Sequence, residues 1–172
     1  FRSGMQDQKA QIDQFLKRYN VNVIVNNSET EGAPVVVEIN PNYINLIGRV
    51  EKEMRMGAVT TDFSMLKSGS LLRAMGGFLV ISVEDLLKNP YSWEGLKRAL
   101  RSGEVRIEEP GEQFGLLSLK TLRPEPIPLD VKVILVGSPM FYYLLHAYDN
   151  DFSELFKVKA DYDIRMDFSD EN

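Results

Sequence analysis

Lys67-Ser68-Gly69-Ser70-Leu71-Leu72-Arg73-Ala74-Met75-Gly76-Gly77-Phe78-Leu79-Val80-Ile81-Ser82-Val83-Glu84-Asp85-Leu86-Leu87 decides how this chain is read. It opens as a short helix, which Gly76-Gly77 ends with a turn. Phe78 to Ser82 is an apolar run of strand length, and Glu84 and Asp85 open a second helix where negative charge favours its dipole. A strand apolar on both faces belongs in a parallel sheet buried between layers.

Outward from this stretch the alternation of strand and helix continues. Val131 to Val136 is a second buried strand, Pro34 to Ile39 a short β-branched one, and Val21 to Val25 alternates as a strand. Helical spacing covers Gln6 to Arg18, Tyr43 to Glu53, Ser92 to Arg101, a segment through Tyr142, Leu145 and Ala147, and Phe152 to Phe156. Ser68 is placed to cap the helix that follows it. Glu104 to Glu108 and Gly115 to Leu122 alternate as a hairpin, and Val158 to Ile164 reads as a short final strand. The pattern predicts an α/β fold of three layers, a mostly parallel sheet with helices on both faces and an inserted β-hairpin.

Composition narrows the chemistry. The chain has 172 residues, 44% hydrophobic, enough for one α/β domain with a real core. Its net charge of −5 gives no reason to expect a nucleic-acid partner. With no cysteine and one histidine, His146, thiolate chemistry and multi-histidine metal sites are excluded. No run approaches the ~20 apolar residues of a membrane span, and no secretory signal is present. A cytoplasmic location is expected. Residues 1–4, Phe-Arg-Ser-Gly before Met5, read as a cloning remnant, and 5–172 as a single domain fragment of a longer protein.

Several separated motifs carry a resemblance. Pro41 to Arg49 (Pro-Asn-Tyr-Ile-Asn-Leu-Ile-Gly-Arg), Leu72-Arg73-Ala74 followed by Gly76-Gly77, Leu119 to Pro128, and Leu155-Phe156-Lys157-Val158 stand in an order that resembles Lon-type proteases of the LonB-like and Lon-like branch. The resemblance runs from Asn40 to Asp163. It implies the central part of an AAA+ ATPase-like module in a hexameric serine protease that unfolds damaged proteins and degrades them in a chamber. The implied fold is P-loop NTPase-like, yet no Gly-x-x-x-x-Gly-Lys-Ser/Thr loop occurs in these residues. No catalytic residue of the protease is expected here, and no cofactor for this chain alone. ATP and magnesium belong to the full-length protein if a phosphate loop lies upstream. Three readings stay open: a fragment serving ring assembly and substrate handling, a separate protein-binding module without protease activity, and half of an active ATPase completed elsewhere.

The resemblance also assigns positions. Related ATPases end the central strand in Asp-Glu, for magnesium and for the attacking water; here those places hold Ser82 and Val83. Glu84 and Asp85 follow, but two residues of strand rise ~6.6 Å, so they read as first-turn acids. Ser138, in Gly137-Ser138-Pro139, falls where a polar sensor meets the γ-phosphate, and equally suits a helix N-cap before proline. Phe63 and Met65 occupy the place of a pore loop that grips polypeptide, unless both pack in the core. Phe114 on the expected hairpin either faces a channel or packs on the domain. Lys157 and Lys159 are imperfect substitutes for a trans-acting arginine, or simply solvated charges beside a core strand. His146 reads as a packed or hydrogen-bonded histidine, Glu108 and Glu109 as exposed turn charges, and Arg98, Arg101 and Arg106 as a solvated face or a contact with a neighbouring subunit's acids.

Overall fold

The computed structural model describes residues 16, 19–55, 58–108 and 124–162. It divides into two units, Phe1–Gly137 and Ser138–Asn172. In the first unit, β1 (Val35–Glu38), β6 (Gly77–Ser82) and β9 (Val131–Val136) form a parallel sheet in the order β1-β6-β9. Gly77 lies so close to the Pro34 carbonyl that a side chain there would collide with it, which explains the second glycine of the turn.

Between β1 and β6 run α1 (Tyr43–Ile47), β2 (Gly48–Val50), β3 (Glu53–Arg55), β4 (Ala58–Thr60), a 3-10 turn (Phe63–Met65), β5 (Leu66–Ser68) and α2 (Ser70–Arg73). Between β6 and β9 run α3 (Val83–Leu87), α4 (Pro90–Ser102), β7 (Glu104–Val105) and β8 (Ile127–Pro128). Each step across the sheet goes the same way. Right-handed crossovers therefore put these helices on one face. Burial agrees: Leu79 and Ile81 of β6 are fully buried among α-helical Leu46, Leu71, Leu86 and Leu96. On the opposite face, β1 and β9 leave Val35, Val37, Ile134 and Val136 exposed.

Helix α4 shows how local sequence sets an element. Pro90 starts it, Gly103 stops it at φ 67°, and Trp93, Leu96 and Ala99 make its buried stripe. Lys97 lays its stem on that stripe, with Nζ 2.8 Å from Glu94 Oε1 and 5.4 Å from the Trp93 ring centre.

The expected helix Tyr43 to Glu53 ends at Ile47. Gly48 takes φ 109°, and the chain turns into an antiparallel β2–β5 ladder carrying the β3–β4 hairpin. Gly69, not Ser68, is the N-cap of α2, and a Cβ there would meet the Leu46 carbonyl. Val21 to Val25 forms no strand: Val21 and Val23 are exposed, so the alternation has no face to bury, and Asn22 instead donates to the Phe63 and Leu66 carbonyls at 2.9 and 3.3 Å. Strand β7 pairs antiparallel with β8, while the expected partner Gly115 to Leu122 lies outside the described residues.

The second unit contains α5 (Pro139–Tyr148) and α6 (Asn150–Leu155), joined through a T-shaped Tyr142–Phe152 contact at 5.7 Å. Residues 158–162 form no strand; Asp163 and Ile164 lie outside the described residues.

Candidate functional site

The carboxyl end of β6 leads into Ser82 and Val83, the positions at which the resemblance implies magnesium chemistry. Ser82 is the N-cap of α3, and its Oγ accepts the Asp85 N–H at 3.3 Å. Val83 is 5% exposed and belongs to the core. Neither side chain carries a charge, so neither fits a divalent cation. Glu84 and Asp85 are first-turn acids of α3, as expected, and because the helix begins at Val83 the Glu84 side chain folds back toward Ser82. Ser82 Oγ donates to Glu84 Oε2 at 3.4 Å. Gly137, at the end of β9, closes the corner: a Cβ there would collide with Val83 Cγ1 and come within 2.8 Å of Glu84 Oε2.

Asp85 is held below its usual carboxyl value, first by the Lys88 ammonium at 2.6 Å and then by the Ser82 hydroxyl. The acids after Ser82 thus have local partners. Among the described residues no group of three or more His, Asp or Glu side chains is placed to hold a metal ion.

Phe63 and Met65 lie on the 3-10 turn between β4 and β5. Asp62 Oδ1 caps the turn by accepting the Ser64 N–H at 2.7 Å. Phe63 is 36% exposed and Met65 half-buried, so the turn presents apolar surface without giving it all to the core. Phe114 lies outside the described residues.

In the second unit Ser138 is the N-cap of α5 with Pro139 in the first turn, and its hydroxyl makes no capping hydrogen bond. Lys159 Nζ lies 4.7 and 5.0 Å from the Tyr142 and Tyr143 ring centres and 2.9 Å from Asp161 Oδ1. Lys157 is exposed. The His146 ring is 5.8 Å from that of Tyr142, on an exposed stretch of α5. In the first unit Arg98 and Arg101 are exposed on α4, and Arg106 pairs with Glu104.

Sequence reading missed a basic cleft of about 230 Å³ beside the β2–β5 ladder, lined by Glu38, Asn45, Arg49, Lys67, Ser68 and Arg73 among others. Its signal was hidden because Gly48 to Val50 looks helical. Only the ladder register sets Arg49 opposite Lys67.

A parallel sheet with crossover helices and a hairpin-bearing insertion ahead of the central strand defines an AAA-like α/β module. Residues 31–163 match the family described as "LonB-like, AAA domain", and the chain belongs to that family. Among solved structures it is similar to the crystal structure of NtrX from Brucella abortus, at 19% identity and a TM-score of 0.46, over 73% of this chain and 26% of that one. The chain therefore spans 26% of the length of that protein. Comparison with curated proteins found no match. Among the described residues no helix is long and apolar enough to cross a membrane.

Proposed function

We propose that this chain is the AAA+-like part of a cytoplasmic Lon-like serine protease, where it builds a homo-oligomeric ring, a hexamer, and handles unfolded polypeptide on its way to proteolysis. The observation that carries the reading is the family match over residues 31–163. Within that frame the strand end has exchanged metal chemistry for structure, since Ser82 caps a helix and Val83 fills the core. ATP and magnesium then have no carboxylate from these two positions, and Ser138, where the resemblance puts a γ-phosphate sensor, stands at the N-cap position of α5 without a capping hydrogen bond. Any cofactor chemistry of the full-length protein must draw on other residues.

Substrate handling falls to the turn at Phe63 and Met65. Gripping arbitrary sequence needs adaptable apolar surface rather than polar readout, and a capped turn between two strands offers it on a firm base. The expected experiment uses the full-length polypeptide. Phe63→Ala should slow degradation of an unfolded protein several-fold while leaving cleavage of a short peptide unchanged. Equal rates on the unfolded protein would remove the pore assignment. An absence of any peptide cleavage by the wild-type polypeptide would favour a protein-binding module without protease activity.

A further inference from the structure

The cleft beside the β2–β5 ladder has a charge pattern that fold stability does not favour. Arg49 and Lys67 are direct partners across an antiparallel ladder, an arrangement in which like charges destabilise. Arg73 lines the same cleft from the end of α2. Three cations therefore meet in a chain whose net charge is −5.

The carboxylates nearby are already engaged. Glu38 uses one oxygen for the Asn40 N–H at 3.1 Å and the other for Arg73 Nη2 at 3.1 Å. Glu51 accepts from Arg49 Nη2 at 2.7 Å, and it does not line the cleft. That Arg49 bond, with the Lys67 charge behind it, holds the Glu51 carboxyl below its usual value. Among the described residues the Lys67 ammonium and the Ser68 hydroxyl make no hydrogen bond, and Lys67 meets Glu51 through its charge alone. Each guanidinium also has further N–H groups beyond the one it uses. The cleft thus keeps unused donors on two guanidiniums and an ammonium.

We propose that this cleft binds an oxyanion, a phosphate or carboxylate group of a small molecule, between Arg49, Lys67 and Arg73, with Ser68 as an additional donor. Guanidinium forks match the geometry of such a group, and an ammonium adds a point charge. The supports are rigid: Gly48 and Gly69 bring β2, β5 and α1 into contact so close that neither tolerates a side chain. Occupation would neutralise the Arg49–Lys67 repulsion, so binding and stability are linked. The site is independent of any ring or protease role.

The test is thermal unfolding and calorimetric titration of this chain with sodium phosphate and, separately, with tricarballylate, each against sodium chloride at equal ionic strength. The expected result is a saturable rise in Tm with a midpoint on the order of 1 mM for at least one of the two anions. Saturation by phosphate alone assigns a phosphate ligand, by tricarballylate alone a carboxylate, and by both a general oxyanion. Lys67→Met and Arg49→Gln should each weaken binding about tenfold or more. Lys67→Met should also leave the anion-free Tm no lower than wild type, because it removes the cross-strand repulsion. The exposed Lys88→Met should bind as wild type. No saturable effect of either anion, or an equal effect in the Lys67 and Arg49 variants, overturns the proposal.

Discussion

Ser82 caps the corner between β6 and α3. Replacing it by Ala removes the acceptor for the Asp85 N–H and should cost about 1 kcal/mol, read from urea unfolding. Gly137 is constrained by proximity instead. A Gly137→Ala side chain would press on Val83 and Glu84, and a loss of about 1–3 kcal/mol is expected in the same assay. An unchanged midpoint would mean that the corner gives way more easily than its contacts imply. Asp85 supplies a pH signature. Its folded pKa is lowered by Lys88 and Ser82, so its contribution is present above the unfolded value and disappears as pH falls through the folded one. The group is exposed, so the effect on stability is small and the carboxyl resonance is the better probe. Its NMR titration midpoint should lie below the usual Asp value and rise in Lys88→Met; an unmoved midpoint would contradict the pairing.

At the scale of elements, β6 was legible as a continuous apolar run, β9 as an apolar run broken only by Lys132 although it leaves alternate residues exposed, and α4 because proline, stripe and glycine agree. The α1–β2 boundary was not. Ile44, Ile47 and Val50 keep helical spacing through Gly48, and only the φ of 109° that the close approach of β5 imposes breaks it. Glu84 was legible as a first-turn acid, while its approach to Ser82 depends on the helix starting at Val83. The two faces of the sheet should answer differently to truncation. Ile81→Ala, on the fully buried face, is expected to lose about 2–5 kcal/mol. Val37→Ala, on the exposed face, should stay within about 0.5 kcal/mol. Comparable losses would mean that the second face is buried in solution.

Over the whole molecule the same topology explains what is covered and what is open. Three parallel strands that step in one direction gather their crossover helices on one side, and the residues Val35, Val37, Ile134 and Val136 are left at the surface. Parallel sheets are ordinarily buried on both faces, so this chain should bind a hydrophobic dye more than a typical monomer of its size. The double change Val37→Lys with Ile134→Glu should reduce dye binding without lowering Tm; unaltered binding would place the dye elsewhere. The family was readable from short motifs spread along the chain, whereas the basic cleft was not, because it exists only once β2 and β5 pair.

Ser82 caps α3 and Val83 packs in the core, and under the proposed function neither takes part in magnesium chemistry. The most direct measurement is magnesium-dependent ATP turnover by the full-length polypeptide, wild type and Ser82→Ala, at matched protein concentration. The expected result is either no turnover or a rate that Ser82→Ala leaves unchanged beyond its loss of stability. Magnesium-dependent hydrolysis that Ser82→Ala abolishes, in a protein still folded by circular dichroism, would contradict it.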